Sequence, residues 1–510
     1  MKWKTLLSVL SFLAVQVITT HIGAQSAGKN NMEEYRLQFH FSTKANWIND
    51  PNGMVYHKGT WHLFFQYHPF STSWGPMHWG HAISRDLMHW KEEPIALYPD
   101  SLGAIFSGSA VVDINNTSGF GKNGKTPLVA IFTHHNSKLE STTNDFQNQS
   151  LAYSLDEGMS WTKYAGNPVL HNPGISDFRD PKVCWYEPGK KWIMTLATKD
   201  RVTFYSSPDL KKWNKESEFG KDAGAHGGVW ECPDLISFDN NGKKIWVLLV
   251  NINPGGPNKG SATQYFLGDF DGSSFRSSHT DTRWLDYGPD EYAGITWSNT
   301  GNKKIFLGWM SNWLYAGDLP TKTWKGAMTL PRELKLKHVG KDVFITSEVV
   351  PQVATIQSTP VVFKNLNVNK SMDFSKRLPN ISLPCRINLD MENVVDFSLT
   401  IANESGEELL IGYNKSMNQY FIDRTKSGKV DFQKDFASRN VAPRLSDSKK
   451  INMSLFIDVS SVELFADDGL TVMSAVFFPG KPYNKIKVES PGKIGIKKME
   501  YFKINSTLEK

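Results

Sequence analysis

Short apolar runs separated by polar turns occupy most of the chain, and long stretches with helical periodicity are nearly absent. One pattern recurs five times: a turn that carries Gly or Lys, followed by an apolar run of β type such as Trp61–Phe65. The turn glycines lie at positions 59, 124, 189, 242 and 301, in steps of 65, 65, 53 and 59 residues. Turns between apolar runs indicate hairpins. Each unit has room for about four strands, so five units predict a five-bladed β-propeller.

A second, weaker pattern follows later in four of the units. It is a polar turn that contains Asp and is closed by an aromatic residue. The four Asp–aromatic pairs are Asp86 with Trp90, Asp156 with Trp161, Asp209 with Trp213, and Asp271 with Phe275. The alternative interpretation is an irregular β-sandwich whose turns resemble one another by accident. Five copies at similar spacing favour the propeller.

The repeat loses its phase after about Arg332, and the pattern then changes. From Val361 onward, runs such as Ser461–Phe465 alternate polar and apolar positions, with a turn about every ten residues. Alternation with a period of two is typical of an antiparallel sandwich. The sequence therefore predicts an all-β protein: a five-bladed β-propeller over residues 33–345, a linker over 346–360 and a C-terminal β-sandwich over 361–510.

The first 25 residues have the pattern of a secretory signal peptide. Lys2 and Lys4 precede an apolar run from Leu6 to Val17, and the small residues Gly23 and Ala24 follow. The alternative is a membrane anchor, but the run is short for a span of about 20 residues, and no second apolar stretch follows. We expect residues 1–25 to be removed and the mature protein to be secreted or periplasmic, without membrane attachment.

Composition excludes several classes of function. Lys and Arg number 57 against 51 Asp and Glu, and no cationic run concentrates the excess, so nucleic-acid binding is not expected. Aromatic residues make up 12% of the chain, which suits broad β-structure and stacking surfaces for ring-shaped ligands. Three Cys allow at most one disulfide, and without a tight Cys/His cluster no metal site is expected.

Three acidic residues occupy nearly the same position in three different units. Asp50, Asp180 and Glu231 lie nine, nine and eleven residues before the turn glycine of their units. Equivalent positions on the innermost strands of a propeller converge on its central channel. The repeat therefore predicts that the three carboxyl groups face one cavity, with nearby Trp side chains as walls for a sugar ring.

The local sequence around these acids indicates acid–base chemistry. Asp50 and Asp180 each precede Pro, which favours extended backbone. Glu231 lies between apolar neighbours and near two other acids, so we expect its pKa to be raised, whereas Asp180 beside Arg179 should stay ionised. One protonated and one ionised carboxyl group are what cleavage of a glycosidic bond requires. The alternative is that Asp-Pro pairs only form surface turns.

The motifs around these residues resemble those of glycoside hydrolase family 32, which contains invertases, inulinases and levanases. The resemblance covers nearly the whole mature chain. The matching segments are Trp47–Gly53, Phe65–Pro69, Trp79–Gly80, Phe106–Ser109, Phe178–Pro181, Trp230–Pro233, Gly308–Trp313, Met328–Leu334, Ser461–Phe465 and Asp467–Gly469. The resemblance implies a five-bladed propeller with a β-sandwich, and hydrolysis with retention of configuration without a metal or cofactor.

The resemblance also implies a role for individual residues. Asp50 is expected to be the nucleophile, Glu231 the acid/base and Asp180 the residue that holds the fructosyl hydroxyls. The residues expected to shape the fructosyl pocket are Asn49, Gln66, Trp74, Phe106, Ser107, Arg179 and Trp309. The expected activity is exo-acting release of terminal fructose from a fructan, either levan or inulin, and cleavage of sucrose. The alternatives are a sucrose-preferring invertase, an endo-acting fructanase, a fructosyltransferase and a non-enzymatic carbohydrate-binding homologue.

Two positions depart from the family pattern. Glu291 stands where many members have an aromatic residue, which leaves the preference for the leaving group open. Val459 replaces an Arg, where we expect an effect on packing only.

Overall fold

The computed structural model describes residues 33–240, 242–378 and 380–509, and from Tyr35 onward the chain forms one compact unit. The predicted signal peptide, residues 1–25, lies outside the described residues. Helical structure in the described part consists of three short 3₁₀ helices: Glu187–Gly189, Ala316–Asp318 and Pro351–Ile356. None of these helices is long and apolar enough to cross a membrane. The predicted all-β class is confirmed.

Five sets of four antiparallel strands form the five blades of a propeller, and blades 1 to 4 are each continuous in sequence. Blade 1 contains β1 (Asn46–His57), β2 (Thr60–His68), β3 (His78–Ser84) and β4 (Trp90–Leu97). Blade 2 contains β5 (Ala104–Val112), β6 (Leu128–His135), β7 (Gln147–Ser154) and β8 (Thr162–Lys163). Blade 3 contains β9 (Phe178–Tyr186), β10 (Lys191–Thr198), β11 (Val202–Ser207) and β12 (Asn214–Phe219).

Blade 4 contains β13 (Val229–Asn240), β14 (Lys243–Asn253), β15 (Ala262–Phe270) and β16 (Phe275–Ser277), with β17 (Arg283–Trp284) paired to β15. Blade 5 contains β18 (Tyr292–Thr296), β19 (Ile305–Trp309), β21 (Arg332–Val339) and β22 (Asp342–Val349). Between its strands, β20 (Trp324–Lys325) crosses over to pair with β1 in parallel.

The two turn patterns of the sequence mark fixed places in the blades. The glycine turns connect the first and second strands, and the Asp turns connect the third and fourth. In blade 1, Asp86 Oδ1 accepts the backbone N–H groups of Met88 and His89 at 2.9 and 2.8 Å, and Trp90 Nε1 donates to the Leu87 carbonyl at 3.0 Å. The Asp therefore satisfies the turn's donors while the aromatic ring closes it, which explains why both residue types recur.

A break in register recurs near the start of the innermost strand in all five blades. The breaks fall at residues 49–50, 106–107, 180–181, 232–233 and 293–294. Such β-bulges redirect side chains and are frequent beside active sites. Asp180 and Cys232 have φ angles of +64° and +43° there, a conformation that is costly for residues with a Cβ. The bulges therefore turn side chains toward the propeller axis at one level.

The C-terminal strands form a layered domain around its own core. They are β23 (Val361–Asp373), β24 (Cys385–Met391), β25 (Phe397–Ala402), β26 (Glu408–Asn414), β27 (Gln419–Lys426), β28 (Arg439–Pro443), β29 (Ile451–Ile457), β30 (Ser461–Ala466), β31 (Thr471–Val476) and β32 (Lys485–Lys503). The first part of β32 pairs with β25 and its last part with β24, so this long strand belongs to both layers. Leu389, Leu399 and Leu455 pack in the core between the layers. The predicted sandwich is confirmed.

The connection between the domains differs in detail from the predicted linker, residues 346–360. Strand β22 continues to Val349 because its residues remain paired with β21, up to the pair Arg332–Val349. A 3₁₀ helix then occupies Pro351–Ile356 before β23 begins at Val361. The exact division of the chain into domains stays a prediction.

Buried ion pairs join the propeller to the sandwich. Arg332 Nη1 lies 2.9 Å from Asp286 Oδ2, and Arg332 also pairs with Glu463 of β30. Arg424 of β27 lies 2.7 Å from Asp290 Oδ2 in the propeller. All of these side chains are fully or almost fully buried, so losing one partner would leave an uncompensated charge inside the protein. The three cysteines of the described chain are free thiols, and the domains are joined without a disulfide.

Candidate active site

A cavity of about 280 Å³ opens at the end of the propeller where the five bulges lie. Nine of the ten predicted site residues line it: Asn49, Asp50, Gln66, Trp74, Phe106, Ser107, Arg179, Asp180 and Glu231. Further lining residues that the sequence did not single out include His135, Glu140, Asp177, Asn253 and Trp313. The three acids come from β1, β9 and β13, so the convergence expected from the repeat is seen in the structure.

Asp50 is held by neighbours on both of its carboxylate oxygens. Asn49 Nδ2 donates to Oδ1 at 2.9 Å, and Ser107 Oγ donates to Oδ2 at 2.7 Å. The Cys232 thiol lies 3.6 Å from the same Oδ2. Trp47 Nε1 fixes the Asn49 amide by donating to its oxygen at 2.8 Å. The carboxylate is thus oriented from blades 1, 2 and 4 together.

Glu231 is held by a cation on one oxygen and by a hydroxyl on the other. Arg179 donates to Oε1 through Nη2 at 2.9 Å and through Nε at 3.1 Å. The phenolic O–H of Tyr292 donates to Oε2. Burial raises the pKa of Tyr292 well above its ordinary value, so this residue stays protonated and remains a donor.

Asp180 is positioned by its backbone and by the strand that carries Glu231. Its own N–H donates to Thr133 Oγ1 at 3.1 Å, and the Cys232 N–H donates to Asp180 Oδ2, also at 3.1 Å. Cys232 therefore contacts Asp180 through its backbone and Asp50 through its thiol. Because Cys232 follows Glu231 directly, one bulge of β13 brings all three acids together.

Burial and the neighbouring charges shift the pKa values of Asp180 and Asp50. Burial raises the pKa of Asp180 to about 7, with Arg179 opposing the shift and Glu231 and Asp50 adding to it. Arg179 Nε lies 4.0 Å from Asp180 Oδ2, whereas its closest contacts include Glu231. Arg179 therefore favours the ionised form of Asp180 but does not cancel the effect of burial, and the expectation that it keeps Asp180 ionised stays a prediction. Burial, and then the charge of Glu231, also raise the pKa of Asp50, against the hydrogen bonds from Ser107 and Asn49.

Aromatic rings form one wall of the cavity. Phe106 stacks on His135 with ring centroids 4.2 Å apart, and Trp74 meets Phe106 edge-on at 6.1 Å. Trp309, which the sequence placed in this wall, is buried and does not line the cavity. It lies against Trp313, with centroids 5.0 Å apart, and Trp313 is the residue that reaches the cavity. The sequence thus identified the aromatic segment but not the ring that faces the ligand.

The remaining cavity lining offers polar groups for a polyhydroxy ligand. Gln66 Nε2 is buried and has no hydrogen-bond partner. A buried donor without a partner is costly, unless a ligand or water satisfies it. In the described residues, no group of three His, Cys, Asp or Glu side chains is arranged to hold a metal ion.

Tyr292 is the main functional residue that the sequence reasoning missed. It lies nine residues before Gly301, the same offset that separates Asp50 from Gly59 and Asp180 from Gly189. The register of the repeat therefore marks Tyr292 as facing the channel, although its side chain is not acidic. Glu291, next to it, is buried outside the cavity.

A second cavity, of about 410 Å³, lies at the opposite end of the channel. Its carboxylates are already engaged, because Asp234 pairs with Lys182 at 3.3 Å and Asp113 accepts backbone and hydroxyl donors from Thr117 and Ser118. Of these two cavities, only the first is lined by acidic residues from the innermost strands of three blades.

A β-propeller that directs three carboxyl groups into one sugar-sized cavity defines the protein as a glycoside hydrolase. The family models agree with this class: the glycosyl hydrolases family 32 N-terminal domain matches residues 40–347, and the family 32 C-terminal domain matches residues 352–503. The chain belongs to glycosyl hydrolase family 32, as its motifs indicated.

Known relatives cover almost the whole chain. A levanase of Bacillus subtilis (strain 168) is 43% identical over 491 residues, which are 94% of this chain and 71% of that protein. The crystal structure of an exo-inulinase from Aspergillus awamori superposes with a TM-score of 0.86 at 38% identity, covering 94% of this chain and all of that one. A fructofuranosidase from Schwanniomyces occidentalis, complexed with fructosylnystose, has a TM-score of 0.84 at 32% identity and covers 92% and 98% of the two chains.

Proposed function

We propose that the protein is an exo-acting, retaining fructan β-fructosidase that releases terminal β-D-fructofuranosyl units from levan or inulin and also cleaves sucrose. The observation that carries this proposal is the convergence of Asp50, Asp180 and Glu231 from three blades on one small cavity. The levanase and exo-inulinase relatives support a fructan as the substrate class.

Asp50 is the proposed nucleophile. Its carboxylate attacks the anomeric carbon C2 of the terminal fructosyl unit and forms a covalent glycosyl–enzyme intermediate. Ser107 and Asn49 donate hydrogen bonds that favour the ionised form of this buried group and hold it in one orientation.

Glu231 is the proposed acid/base. It protonates the leaving oxygen in the first step and removes a proton from the attacking water in the second. Arg179 has no acceptor atom, so the Glu231 oxygen that it contacts, Oε1, must stay unprotonated. A tyrosine hydroxyl can donate or accept, so the transferred proton belongs on Oε2, beside Tyr292.

Asp180 and the unpartnered Gln66 amide are proposed to bind the hydroxyl groups of the fructosyl ring. Asp180 also stabilises the positive charge that develops on the ring in the oxocarbenium-like transition state. The aromatic wall of Trp74 and Phe106 covers the apolar face of the ring.

Exo action is supported by the size of the cavity. At about 280 Å³ it is slightly smaller than the usual range for ligand sites, about 300–1,000 Å³, and suits one terminal sugar unit. We also propose that the protein is secreted or periplasmic. The pattern of residues 1–25 supports export, and so does the extracellular exo-inulinase relative.

The test is hydrolysis of sucrose, inulin and levan with chromatography of the products. We expect fructose as the only early product from both polymers. Early oligosaccharides would instead indicate endo action, and much faster turnover of sucrose would indicate an invertase. Longer oligosaccharides formed at high sucrose concentration would indicate a fructosyltransferase.

The Glu231→Gln variant tests whether the cavity is catalytic. We expect a loss of about 10³-fold or more in kcat with the fold retained, because the group that protonates the leaving oxygen is gone. Glu218→Gln on the outer strand β12 is the matched control and should keep full activity. Full activity of Glu231→Gln would overturn the mechanism, and binding without any turnover by the unmodified protein would indicate a carbohydrate-binding homologue.

A further inference from the structure

Exposed apolar side chains gather on one side of the cavity mouth. Among the described residues, eleven large hydrophobic side chains are exposed. Five of them lie in loops of blades 1 and 2 at the cavity end of the propeller: Phe70, Trp74, Tyr98, Leu102 and Leu139. Scattered exposed apolar residues are normal, but a contiguous group beside a binding cavity indicates an interaction surface.

Three exposed aromatic residues of blade 1 make up this surface, which we call the aromatic strip: Phe70, Trp74 and Tyr98. The buried imidazole of His78 lies between Phe70 and Tyr98. Phe70 and His78 meet edge-on with centroids 5.9 Å apart, and His78 meets Tyr98 edge-on at 5.6 Å. Phe70 is 80% exposed, Tyr98 55% and Trp74 49%. Trp74 lines the cavity and His78 directly follows the lining residue Met77, so the strip adjoins the active site.

The loops that carry the strip are held in place by polar contacts. His68 Nδ1 donates a hydrogen bond to the Ser73 carbonyl at 2.8 Å, and His78 Nδ1 donates one to the Pro76 carbonyl at 3.0 Å. Lys163 Nζ donates to the Tyr98 carbonyl and pairs with Asp100. These contacts hold the backbone of the loops in place, which lowers the entropic cost of binding a ligand there.

The opposite side of the mouth has a different chemistry. The loop between β10 and β11 consists of Lys199, Asp200 and Arg201, and the Lys199 N–H donates to the Asp177 carbonyl beside the cavity. The aromatic strip, in contrast, consists of Phe, Trp and Tyr side chains without a fixed charge, and burial lowers the pKa of the His78 imidazole between Phe70 and Tyr98. An uncharged ligand with apolar faces is therefore favoured over blade 1.

We propose that the aromatic strip binds the sugar units of a fructan chain that follow the scissile bond. The inference rests on the proposed function, and it names the surface that distinguishes a polymer from sucrose. Each sugar ring presents C–H groups that stack on aromatic faces, while its hydroxyls stay in water. Sucrose has only one unit beyond the scissile bond and ends near Trp74, whereas a longer chain continues over Phe70 and Tyr98.

The experiment compares Phe70→Ala, Tyr98→Ala and the double variant with the unmodified enzyme on sucrose, inulin and levan. We expect kcat/KM on at least one polymer to fall about threefold to tenfold for each ring, mainly through KM, because one aromatic contact contributes about 0.5–1.5 kcal/mol. Activity on sucrose should stay within about twofold. Ile114→Ala is the matched control, because Ile114 is 70% exposed but lies in the β5–β6 connection at the opposite end of the propeller.

Several outcomes would overturn the inference. They are unchanged kinetics on both polymers, an equal loss on sucrose and polymer, and an assembly of two copies that the double variant converts to monomers. Circular dichroism and thermal unfolding confirm that each variant is folded. Failure of the proposed function would look different, since the unmodified protein would then release no fructose from any of the three substrates.

Discussion

Arg179 binds Glu231 with two N–H groups, from Nη2 at 2.9 Å and from Nε at 3.1 Å. The two residues come from neighbouring blades, and their contact is closer than the 4.0 Å from Arg179 Nε to Asp180 Oδ2, the pairing that adjacency in sequence suggested. Both N–H groups converge on the same oxygen, Oε1. The guanidinium therefore fixes which oxygen of Glu231 is left to carry a proton.

Replacing Arg179 should reduce turnover even where charge is kept. We expect Arg179→Lys to lower kcat about tenfold to a hundredfold and Arg179→Met about 10²–10³-fold, because an ammonium group does not reproduce the fork of donors. Steady-state kinetics on sucrose checks this. Arg201→Lys, outside the cavity, is the control, and full activity of Arg179→Lys would show that charge alone suffices.

Tyr292 is expected to act on turnover through Glu231. The Tyr292→Phe variant keeps the ring and removes the hydroxyl that contacts Oε2, so kcat should fall about tenfold to a hundredfold while KM changes little. Tyr287→Phe, at a buried tyrosine outside the cavity, should leave both constants unchanged. A rise in KM with unchanged kcat would mean that Tyr292 binds substrate rather than positioning Glu231.

The pH dependence should report on Asp50. Burial and Glu231 raise the pKa of Asp50, and they also raise that of Asp180, so activity should be lost as the pH falls through values above the ordinary range for Asp, about 3.9. The Ser107 hydroxyl opposes this shift. Ser107→Ala should therefore move the acidic limb of kcat/KM to higher pH by about one unit.

The Ser107→Thr variant retains the hydroxyl, so the acidic limb of its kcat/KM profile should stay at the original pH. A profile for Ser107→Ala that is scaled down at every pH, without a shift, would contradict the assignment of the acidic limb to Asp50.

Glu291 should make stability depend on pH. Neither of its carboxyl oxygens has a hydrogen-bond partner, and the Thr263 hydroxyl donates to Asn251 instead. Burial, together with the charge of Asp286, raises the pKa of Glu291 to about 8. A raised pKa in the folded state means that stability is present below pH 4.5, the unfolded value, and is lost as the pH rises toward 8.

In the Glu291→Gln variant the side chain at position 291 cannot titrate. The unfolding free energy of the variant should therefore fall less between pH 5 and pH 8.5 than that of the original protein. At the higher pH it should exceed the original protein by about 1–3 kcal/mol, the cost of an unsatisfied buried polar group. Denaturant unfolding at several pH values measures this, with the exposed Glu348→Gln as control. Parallel pH curves for Glu291→Gln and the original protein would contradict the prediction. His40 lies between Asp458 and Glu463, which raise its pKa to about 9. Its contribution to the pH dependence of stability is the same in both proteins.

Part of the active site was readable from the repeat, and part was not. Asp50, Asp180 and Glu231 were found because strand length and turn position are local properties, so similar offsets in different units, here nine, nine and eleven residues, mark similar depths along the channel. Tyr292 obeys the same offset and could have been found by it. Trp313 could not have been found in place of Trp309, because which ring of a packed group faces the cavity depends on how the neighbouring side chains fill space.

The sequence by itself determined the all-β class, the five blades, the sandwich and the three acids that share one level of the channel. These follow from alternation, turn chemistry and spacing, which act over a few residues. Only the tertiary structure decided that Arg179 contacts Glu231, that Cys232 links Asp50 with Asp180, and that the aromatic strip lies on one side of the mouth. Those contacts join blades 50 to 180 residues apart in sequence, and their geometry depends on the closure of the ring and on the bulge in each innermost strand.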